Sequence, residues 1–417
     1  MPAPTNILIY VFLFTALYYE VFLLITYFEN RHAIKDENMP INGRILRYPS
    51  VSIIIPCWNE ATTLDKTVNS LLELDYPKDK LKIIIVDDGS TDNTLEVAHT
   101  FSFYPQVEIY TKVNGGKHTA LNFALTKIHT ELVGCLDADS YVDSQALKHI
   151  IFTFQENVDI VAVTPSVQVW RPKNLLQLIQ RVEYGWGIFI RKMFSYLNAM
   201  YVTPGPFSIF KRDLFEKIGP YKHAHQTEDM EMALRIQSKQ YKMVNAHNAK
   251  VYTVAPNTLR KLYKQRLRWT YGFIKNAVDY RHLFFKKEYG NLGMFVLPIA
   301  SLSIISSVYV ISMTVLSFIT KLWKAYIKFR TVGFDWNILH WFTFDLFYIN
   351  TEVVAITSIV AFLGTLTLVL FSRKMSEGHI RPGLDLLCFL TFYAFIAPLW
   401  LGKALFNAIF SVRTTWR

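Results

Sequence analysis

Hydrophobic and polar positions divide the chain into an alternating middle part and apolar flanks. Four segments are apolar over the length of about 20 residues that a bilayer crossing needs: Asn6–Phe28, Leu292–Thr320, Thr351–Phe371 and Leu384–Phe410. The first has neither a basic start nor a small-residue cleavage site, so it is predicted to be a retained anchor rather than a cleaved signal peptide. Its carboxylate, Glu20, is expected either to face other helices or a polar cavity, or to mark a span that starts or tilts differently.

The middle of the chain, from Tyr48 to about Tyr280, alternates short apolar runs with helical patterns. This alternation is typical of an α/β domain with a mostly parallel sheet. The first predicted strands are Val51–Pro56, Leu81–Val86, Val107–Tyr110 and Leu132–Leu136, and the helices between them are Thr62–Leu74, Leu95–Phe101 and His118–Ile128. Beyond Asp143 the alternation loosens into two short strands, Ile160–Pro165 and Val167–Trp170, and two long helices, Leu175–Tyr196 and Thr258–Tyr280.

These patterns predict three regions. Residues 1–30 form an N-terminal transmembrane helix, residues 48–280 a cytosolic α/β domain, and residues 281–417 interfacial and transmembrane helices with about three spans. With four spans in total, the basic segment Lys321–Arg330 would lie outside the cell, which the positive-inside rule disfavours. The stretch Asn337–Tyr348, with Trp336 beside it, is therefore a candidate interfacial helix rather than a loop.

Composition and charge narrow the class of protein. Of the 417 residues, 51% are hydrophobic and 15% aromatic, which is high for a soluble protein. The formal net charge is +11, but the basic residues flank apolar spans and do not form one basic run with interleaved aromatics. This distribution favours anionic lipid and a phosphorylated substrate as partners over nucleic acid. The three cysteines lack redox-pair or zinc-site spacing and are expected to be buried hydrophobic residues.

Two acidic motifs follow predicted strands, at the sheet edge where ligands gather. Asp87 and Asp88 end the second strand; Asp-Gly-Ser is ordinary turn chemistry, but a carboxylate here could also accept the imide N–H of a uracil base. Asp137 and Asp139 end the fourth strand and, being two residues apart, are expected to point to the same side. They are candidates to bind Mg²⁺ or Mn²⁺, which favour carboxylate and phosphate oxygens.

Three further motifs combine charge with special local structure. Asn114–Lys117 joins two glycines to a cation, as in a ligand-binding loop or a plain turn. Thr227 is predicted to cap a helix whose first turn holds Glu228 and Asp229, either as routine capping or with Asp229 as a general base. One helix face shared by Gln265, Arg268 and Trp269, just before an apolar segment, would suit a phosphate leaving group and a ring-shaped ligand.

In this order the motifs resemble those of the family 2 inverting glycosyltransferases. The resemblance is closest to the processive, membrane-embedded members, which are the hyaluronan, chitin, cellulose and poly-N-acetylglucosamine synthases. It runs from about Val51 through Trp269 and rests on Ile55–Glu60, Asp87–Ser90, Asn114–Lys117 with Ala120–Asn122, Asp137–Asp139, Thr227–Asp229 and Gln265–Trp269. It implies a glycosyltransferase A-type α/β domain that binds a nucleotide sugar, joined to an α-helical transmembrane region.

The resemblance also implies a role for each motif. The catalytic residues would be Asp229, as the base, and Glu228, and the metal ligands would be Asp139 and Asp137. Substrate would be bound by Asp87, Asp88, Lys117, Asp137, Gln265, Arg268, Trp269 and Gly205. Gly205 begins a Gly-Pro-Phe-Ser segment that resembles one lying close to the acceptor in hyaluronan-type enzymes, and Thr415-Trp416 is similar to an element near the end of poly-N-acetylglucosamine synthases.

These features predict processive, inverting transfer of a hexose onto the growing end of a β-linked polysaccharide, coupled to membrane export. The favoured donor is UDP-N-acetylglucosamine, with Mg²⁺ or Mn²⁺ as cofactor. Two alternatives stay open: transfer of one sugar to a membrane lipid, and glucan synthesis from UDP-glucose. A catalytically silent scaffold is disfavoured because the acidic residues and Arg268 are intact. The expected location is the plasma or inner membrane, with the catalytic domain in the cytoplasm, and an accessory membrane subunit is compatible with this arrangement.

Overall fold

A computed structural model describes residues 4–39, 41, 43–333, 353–381 and 383–410. Its centre is a single mixed sheet of eight strands. The strands are β1 (Val51–Cys57), β2 (Leu81–Asp87), β3 (Val107–Thr111), β4 (Leu132–Cys135), β5 (Ser140–Val142), β6 (Ile160–Val169), β7 (Ile209–Lys211) and β8 (Lys242–Thr253). β-branched residues fill the central strands, and every residue of β1 except Pro56 is buried.

Helices cover the sheet and continue into the membrane region. Those before the last sheet strand are α1 (Pro4–Glu29), α2 (Arg31–Glu37), α3 (Leu64–Leu72), α4 (Thr94–His99), α5 (Lys117–Leu125), α6 (Ala146–Glu156), α7 (Leu175–Tyr196), α8 (Arg212–Ile218) and α9 (Glu228–Ser238). The later ones are α10 (Leu259–Asp279), α11 (Leu297–Val332), α12 (Val353–Glu377), α13 (Leu384–Cys388) and α14 (Ala394–Ile409).

The directions of the strands place the ends that carry the acidic motifs at the same edge of the sheet. The order is β3-β2-β1-β4-β7-β6-β8-β5. β1 pairs in parallel with β2 and β4, and β2 in parallel with β3. β7 is antiparallel to both β4 and β6, while β6 is parallel to β8, so β6 and β8 run in the direction of β4. The carboxyl ends of six strands therefore share one edge, as the mostly parallel prediction requires.

The second half of the sheet differs from the sequence prediction. The two strands predicted around Pro165 are one strand, β6, whose pairing with β8 shifts register between Thr164 and Ser166. This irregularity accommodates a proline, which has no N–H to donate to the ladder. The pattern also missed β5, β7 and β8. Two of these have only three residues, and β8 carries Asn245 and His247 among its apolar positions, which obscures any alternation.

Three helices in the described ranges are long and apolar enough to cross a membrane: Ile7–Glu29, Leu292–Thr331 and Val353–Glu377. The last predicted span is a pair of helices, Leu384–Tyr393 and Phe395–Ile409, bent by 43°, which would count as a fourth span if they cross together. The basic segment Lys321–Arg330 continues α11 as helix and is not a loop. The predicted interfacial stretch Asn337–Tyr348 and the Thr415-Trp416 element lie outside the described residues.

Glu20, the carboxylate in the first span, faces a neighbouring helix, which is the first of its two predicted placements. Glu20 is 8% exposed, and the hydroxyl of Thr365 on α12 donates a hydrogen bond to its Oε1 at 2.5 Å. A Cβ added at Gly364 would collide with Glu20 Oε2, so the glycine makes room for this contact. The acidic residue therefore joins α1 to α12.

A polar cluster anchors the first helices to the α/β domain. Lys192 of α7 is 1% exposed, and its Nζ lies 2.6 Å from Glu37 Oε2 of α2. His247 of β8 places Nδ1 2.8 Å from the same oxygen, and Asn248 donates to the Glu37 carbonyl at 2.8 Å. These contacts fix the orientation of the segment that follows α1 against the sheet.

Candidate active site

The turn after β2 is built around two buried carboxylates. Asp87 accepts from the Ser90 N–H at 3.3 Å and from the Thr111 hydroxyl at 3.2 Å. Asp88 faces Lys112 Nζ at 2.6 Å and accepts from the backbone N–H groups of Gly115 and Gly116. The repulsion expected between adjacent carboxylates is thus relieved by a cation and by backbone donors. Asp88 fixes the glycine loop that leads into α5.

Lys117, the first residue of α5, links two of the acidic motifs. Its Nζ lies 2.7 Å from Asp137 Oδ1 and 2.9 Å from Glu228 Oε1. Burial would lower the pKa of Lys117, but the two carboxylates hold the pKa well above its usual range. A Cβ added at Gly205 would lie 3.0 Å from this ammonium and 3.3 Å from Asp137 Oδ2, so the glycine permits a close approach of backbone. The lysine is a fixed cation at the centre of the site.

The segment after β4 carries two carboxylates, Asp137 and Asp139. Asp139 accepts from the Ser140 hydroxyl at 3.2 Å, and burial, followed by the nearby charge of Asp137, raises the pKa of Asp139 to about 6. A divalent cation would relieve this repulsion, and carboxylate oxygens are the ligands that Mg²⁺ and Mn²⁺ prefer. No cluster of three or more protein ligands occurs in the described ranges, so a cation here would need oxygens from a bound diphosphate. The two residues fit such a shared site.

Neighbouring carboxylates at the start of α9 have opposite pKa shifts. Burial would raise the pKa of Glu228, but the Lys117 ammonium outweighs it and lowers the pKa to about 2. For Asp229, burial and the charge of Glu228 dominate and raise the pKa to about 6, although Lys117 and Arg268 oppose them. The Asp229 carboxylate accepts from the Met230 N–H at 2.8 Å. One carboxylate is therefore a permanent anion, and the other is poised to exchange a proton near neutral pH.

Thr227 occupies the cap position of α9, but its hydroxyl does not cap the helix as predicted. It donates to the Ala224 carbonyl at 3.1 Å and accepts from Asn276 Nδ2 at 2.8 Å. A Cβ added at Gly272 would collide with the Thr227 side chain. The Thr227 hydroxyl therefore holds α10 against the start of α9. This contact sets the distance between Thr227–Asp229 and Gln265–Trp269.

The backbone before Thr227 is unusual. Ala224, His225 and Gln226 have φ values of 43°, 53° and 66°, a left-handed conformation that non-glycine residues rarely adopt. Two contacts from α10 hold this turn: Arg268 Nη1 donates to the Gln226 carbonyl at 2.8 Å, and His225 Nε2 lies 2.9 Å from Asp279 Oδ2. Arg268 thus contacts the backbone immediately before the acidic pair.

The side chains around the predicted face of α10 differ in exposure. Trp269 is 36% exposed, whereas Arg266, between the predicted residues, is 4% exposed. Gln265 accepts from Arg266 Nη1 at 2.8 Å, and the Arg266 guanidinium lies 4.2 Å from the centre of the Trp269 ring. The exposed indole therefore rests on a buried cation.

Sequence reasoning missed Lys112, Arg266, Gly272 and Thr203 as neighbours of the motif residues. The Thr203 hydroxyl donates to the backbone carbonyl of Asp229 at 2.8 Å. Of these, only Gly272 could have been recognised from the sequence. Glycine weakens the interior of a helix, so its presence there indicates that another element packs closely against it. His118 and His223, whose spacing predicted no site, contact each other edge to face, with 5.2 Å between their ring centres.

Known proteins similar to this chain are glycosyltransferases. Residues 52–219 match the model of glycosyl transferase family 2. The poly-β-1,6-N-acetyl-D-glucosamine synthase of Staphylococcus epidermidis is 27% identical over 365 residues, covering 86% of this chain and 81% of the relative. The synthase of the same name from Staphylococcus aureus strain COL is 29% identical over 271 residues, covering 64% of this chain and 65% of the relative.

A solved structure supports the fold. The mannosyltransferase PcManGT from Pyrobaculum calidifontis, in complex with GDP-Man and Mn²⁺, superimposes with a TM-score of 0.56 at 17% identity, over 96% of this chain and 99% of that one. The sheet is thus of the glycosyltransferase A type, and the apolar helices make the chain an integral membrane protein with its catalytic domain on the cytoplasmic side. The chain carries a glycosyl transferase family 2 domain and is a membrane-embedded glycosyltransferase homologous to the poly-β-1,6-N-acetylglucosamine synthases.

Proposed function

We propose that this chain is a processive, inverting polysaccharide synthase that transfers N-acetylglucosamine from UDP-N-acetylglucosamine onto the growing end of a β-linked polymer. The names of its similar relatives support the sugar and the polymer. The observation that carries the chemistry is the pair at the start of α9: a carboxylate with a pKa near 6 next to one held ionised by Lys117. A general base works best with a pKa near the working pH.

The donor side of the site would be the edge formed by β2, β4 and α5. We assign the uracil base to the turn of Asp87 and Asp88 and the diphosphate to Lys117 and Asp137. A divalent cation held by Asp137 and Asp139 would offset negative charge on the departing nucleotide diphosphate. Lys117 already contacts Asp137 at 2.7 Å, so its ammonium stands where a diphosphate oxygen would approach.

The proposed transfer moves one proton, forms one C–O bond and breaks another. Asp229 accepts the proton of an acceptor hydroxyl, and that oxygen attacks the anomeric carbon from the face opposite the diphosphate. The new C–O bond forms as the bond to the diphosphate oxygen breaks, so the configuration at the anomeric carbon inverts and UDP leaves. Glu228 stays ionised throughout and holds Lys117 in position at 2.9 Å.

The acceptor side would be α10 and the backbone near Gly205. Trp269 offers a partly exposed aromatic face for a sugar ring, and Arg268 and Gln265 supply polar groups beside it. Because α10 is followed by the apolar segment from Leu292, the acceptor end would lie at the cytoplasmic mouth of the membrane region. This placement favours retention of a growing chain over release after one transfer.

Purified protein in lipid, supplied with radiolabelled UDP-N-acetylglucosamine or UDP-glucose in turn, tests the proposal. We expect long product from the first donor, resistant to cellulase and cleaved by a hydrolase specific for β-1,6-linked N-acetylglucosamine. Label confined to a single sugar on lipid would refute processivity, and polymer made only from UDP-glucose would refute the donor assignment.

The metal assignment has its own test. Excess chelator should stop turnover, and added Mg²⁺ or Mn²⁺ should restore it. An Asp139→Asn variant should bind Mn²⁺ more weakly when measured by electron paramagnetic resonance in the presence of UDP. Turnover at an unchanged rate in excess chelator would contradict the role given to Asp137 and Asp139.

A further inference from the structure

Arg266 is a buried cation inside the helix face assigned to the acceptor. Its side chain is 5% exposed, and its Nη2 donates to Glu183 Oε2 of α7 at 2.6 Å. Burial would lower the pKa of Arg266, but Glu183 holds the pKa above its usual range, so the pair is ionic. A buried ion pair is a weak source of stability, so its contacts with the neighbouring side chains indicate what it does here.

The Arg266 guanidinium packs over the ring of Trp269. The carbon at its centre lies 4.2 Å from the centre of the Trp269 ring, within the range of a cation–π contact. Trp269 nevertheless keeps 36% of its surface exposed. The ring is therefore supported from the protein side while part of its surface stays accessible to a ligand.

The same ion pair joins several elements. The Arg266 guanidinium also lies 5.8 Å from the ring centre of Tyr184, beside Glu183 on α7. Tyr393, in the bent pair of helices near the C-terminus, interacts with both Glu183 and Arg266. The position of the indole thus depends on α7 and on a membrane helix as well as on its own helix.

We propose that Arg266 and Glu183 are positioning residues that hold Trp269 in the orientation needed to bind the acceptor sugar. This inference rests on the proposed function, since it assigns the acceptor saccharide to the exposed part of the Trp269 ring. A ring held in one rotamer before the acceptor arrives loses less conformational entropy on binding than a mobile one. Lysine cannot replace the arginine, because its single ammonium cannot lie flat against the indole while bonding both Glu183 and Gln265, as the two guanidinium nitrogens do.

Three variants separate positioning from folding. Arg266→Lys keeps the charge, Glu183→Gln keeps the shape, and the double variant Arg266→Met with Glu183→Leu replaces the pair by apolar groups, a change that proteins often tolerate. Each should raise the acceptor KM for N-acetylglucosamine oligosaccharides about tenfold, with a smaller change in kcat: the two arginine variants remove the cation–π contact, and Glu183→Gln releases the guanidinium that makes it. Affinity for UDP, measured by calorimetry, should stay unchanged.

Arg260→Lys is the matched control, because Arg260 lies at the exposed start of the same helix. A purely structural role predicts that the well-packed double variant recovers the wild-type acceptor KM, and that result would overturn the proposal. An unchanged acceptor KM in Arg266→Lys would also overturn it. A wild-type protein that turns over no UDP-sugar would instead refute the proposed function, so the two failures are distinguishable.

Discussion

Lys117 gives the two carboxylates at the start of α9 different chemistry. Its ammonium contacts Glu228 at 2.9 Å and lowers the pKa of that group to about 2, while Asp229 reaches about 6. Acidic pairs separated in this way are a common basis for dividing acid and base roles. At the scale of single residues, the site consists of a fixed cation, a fixed anion and one group that can exchange a proton.

Replacing the proposed base should remove transfer without removing donor binding. Asp229→Asn is expected to lower kcat by about 100- to 10,000-fold, the usual contribution of a general base, because the amide cannot accept the acceptor proton. Incorporation of label into polymer measures transfer, and calorimetry with UDP measures binding. Asp213→Asn, an exposed aspartate on α8, is the control and should behave as wild type. Full activity in Asp229→Asn would exclude this residue as the base.

The raised pKa of Asp229 predicts an acid limb in the pH profile. The Asp229 carboxylate of the free enzyme is ionised above about pH 6, so kcat/KM should level off there and fall tenfold for each unit below it. Lys117 lowers the pKa of Asp229, so Lys117→Met should move the limb to higher pH. Initial rates at subsaturating donor from about pH 5 to 8 would show both effects. A flat profile over this range would contradict the assignment.

At the scale of elements, α10, to which we assign the acceptor, packs against the start of α9. Gly272 brings its backbone close to Thr227, and Asn276 donates to the Thr227 hydroxyl at 2.8 Å. The helix pattern and the shared face of Gln265, Arg268 and Trp269 were predictable from spacing alone. Which residue would lie beneath that face was not, because burial of Arg266 depends on Glu183 in a helix 83 residues away.

A side chain at position 272 should separate the two helices. Gly272→Ala is expected to destabilise the protein by about 1–3 kcal/mol, as overpacking does, and to lower kcat by displacing Thr227 beside Glu228 and the proposed base Asp229. Gly402→Ala is the matched control in another helix, since nothing lies within 4 Å of a Cβ there. Thermal unfolding in detergent and the polymer assay would measure both effects. A Gly272→Ala protein as stable and active as the control would contradict this packing.

At the scale of the whole molecule, polar contacts tie the membrane helices to the catalytic domain. Glu37 pairs with the buried Lys192 beside the sheet, and Glu20 joins α1 to α12 through Thr365. Asp385, in the first of the two bent helices, lies 2.8 Å from Arg181 of α7. These ion pairs and hydrogen bonds add to the apolar packing of α1 and α12 against α7, where Leu23, Leu368 and Phe189 share one buried cluster.

Removing Glu37 should be costly because it would leave a charge buried without its partner. Glu37→Ala is expected to lower the free energy of unfolding by about 3–5 kcal/mol, since Lys192 is 1% exposed. Lys217→Ala, which breaks an exposed, solvent-screened pair with Asp213, should change the free energy of unfolding far less than Glu37→Ala does. Thermal unfolding in detergent compares the two. Equal effects would show that the Glu37 pair does not anchor α2.

The sequence by itself determined the class of fold and the order of the motifs. The spacing of apolar residues and the acidic residues that follow each strand are local properties of the chain, so both can be read without the structure. It predicted β1 to β4 and the long helix α7 with bounds close to those observed. The tertiary structure decided what depends on distant neighbours: the single bulged strand β6, the Lys117 bridge between Asp137 and Glu228, and the ion pair beneath Trp269. Pairing partners and pKa shifts arise from contacts between residues far apart in the chain, and no local pattern encodes them.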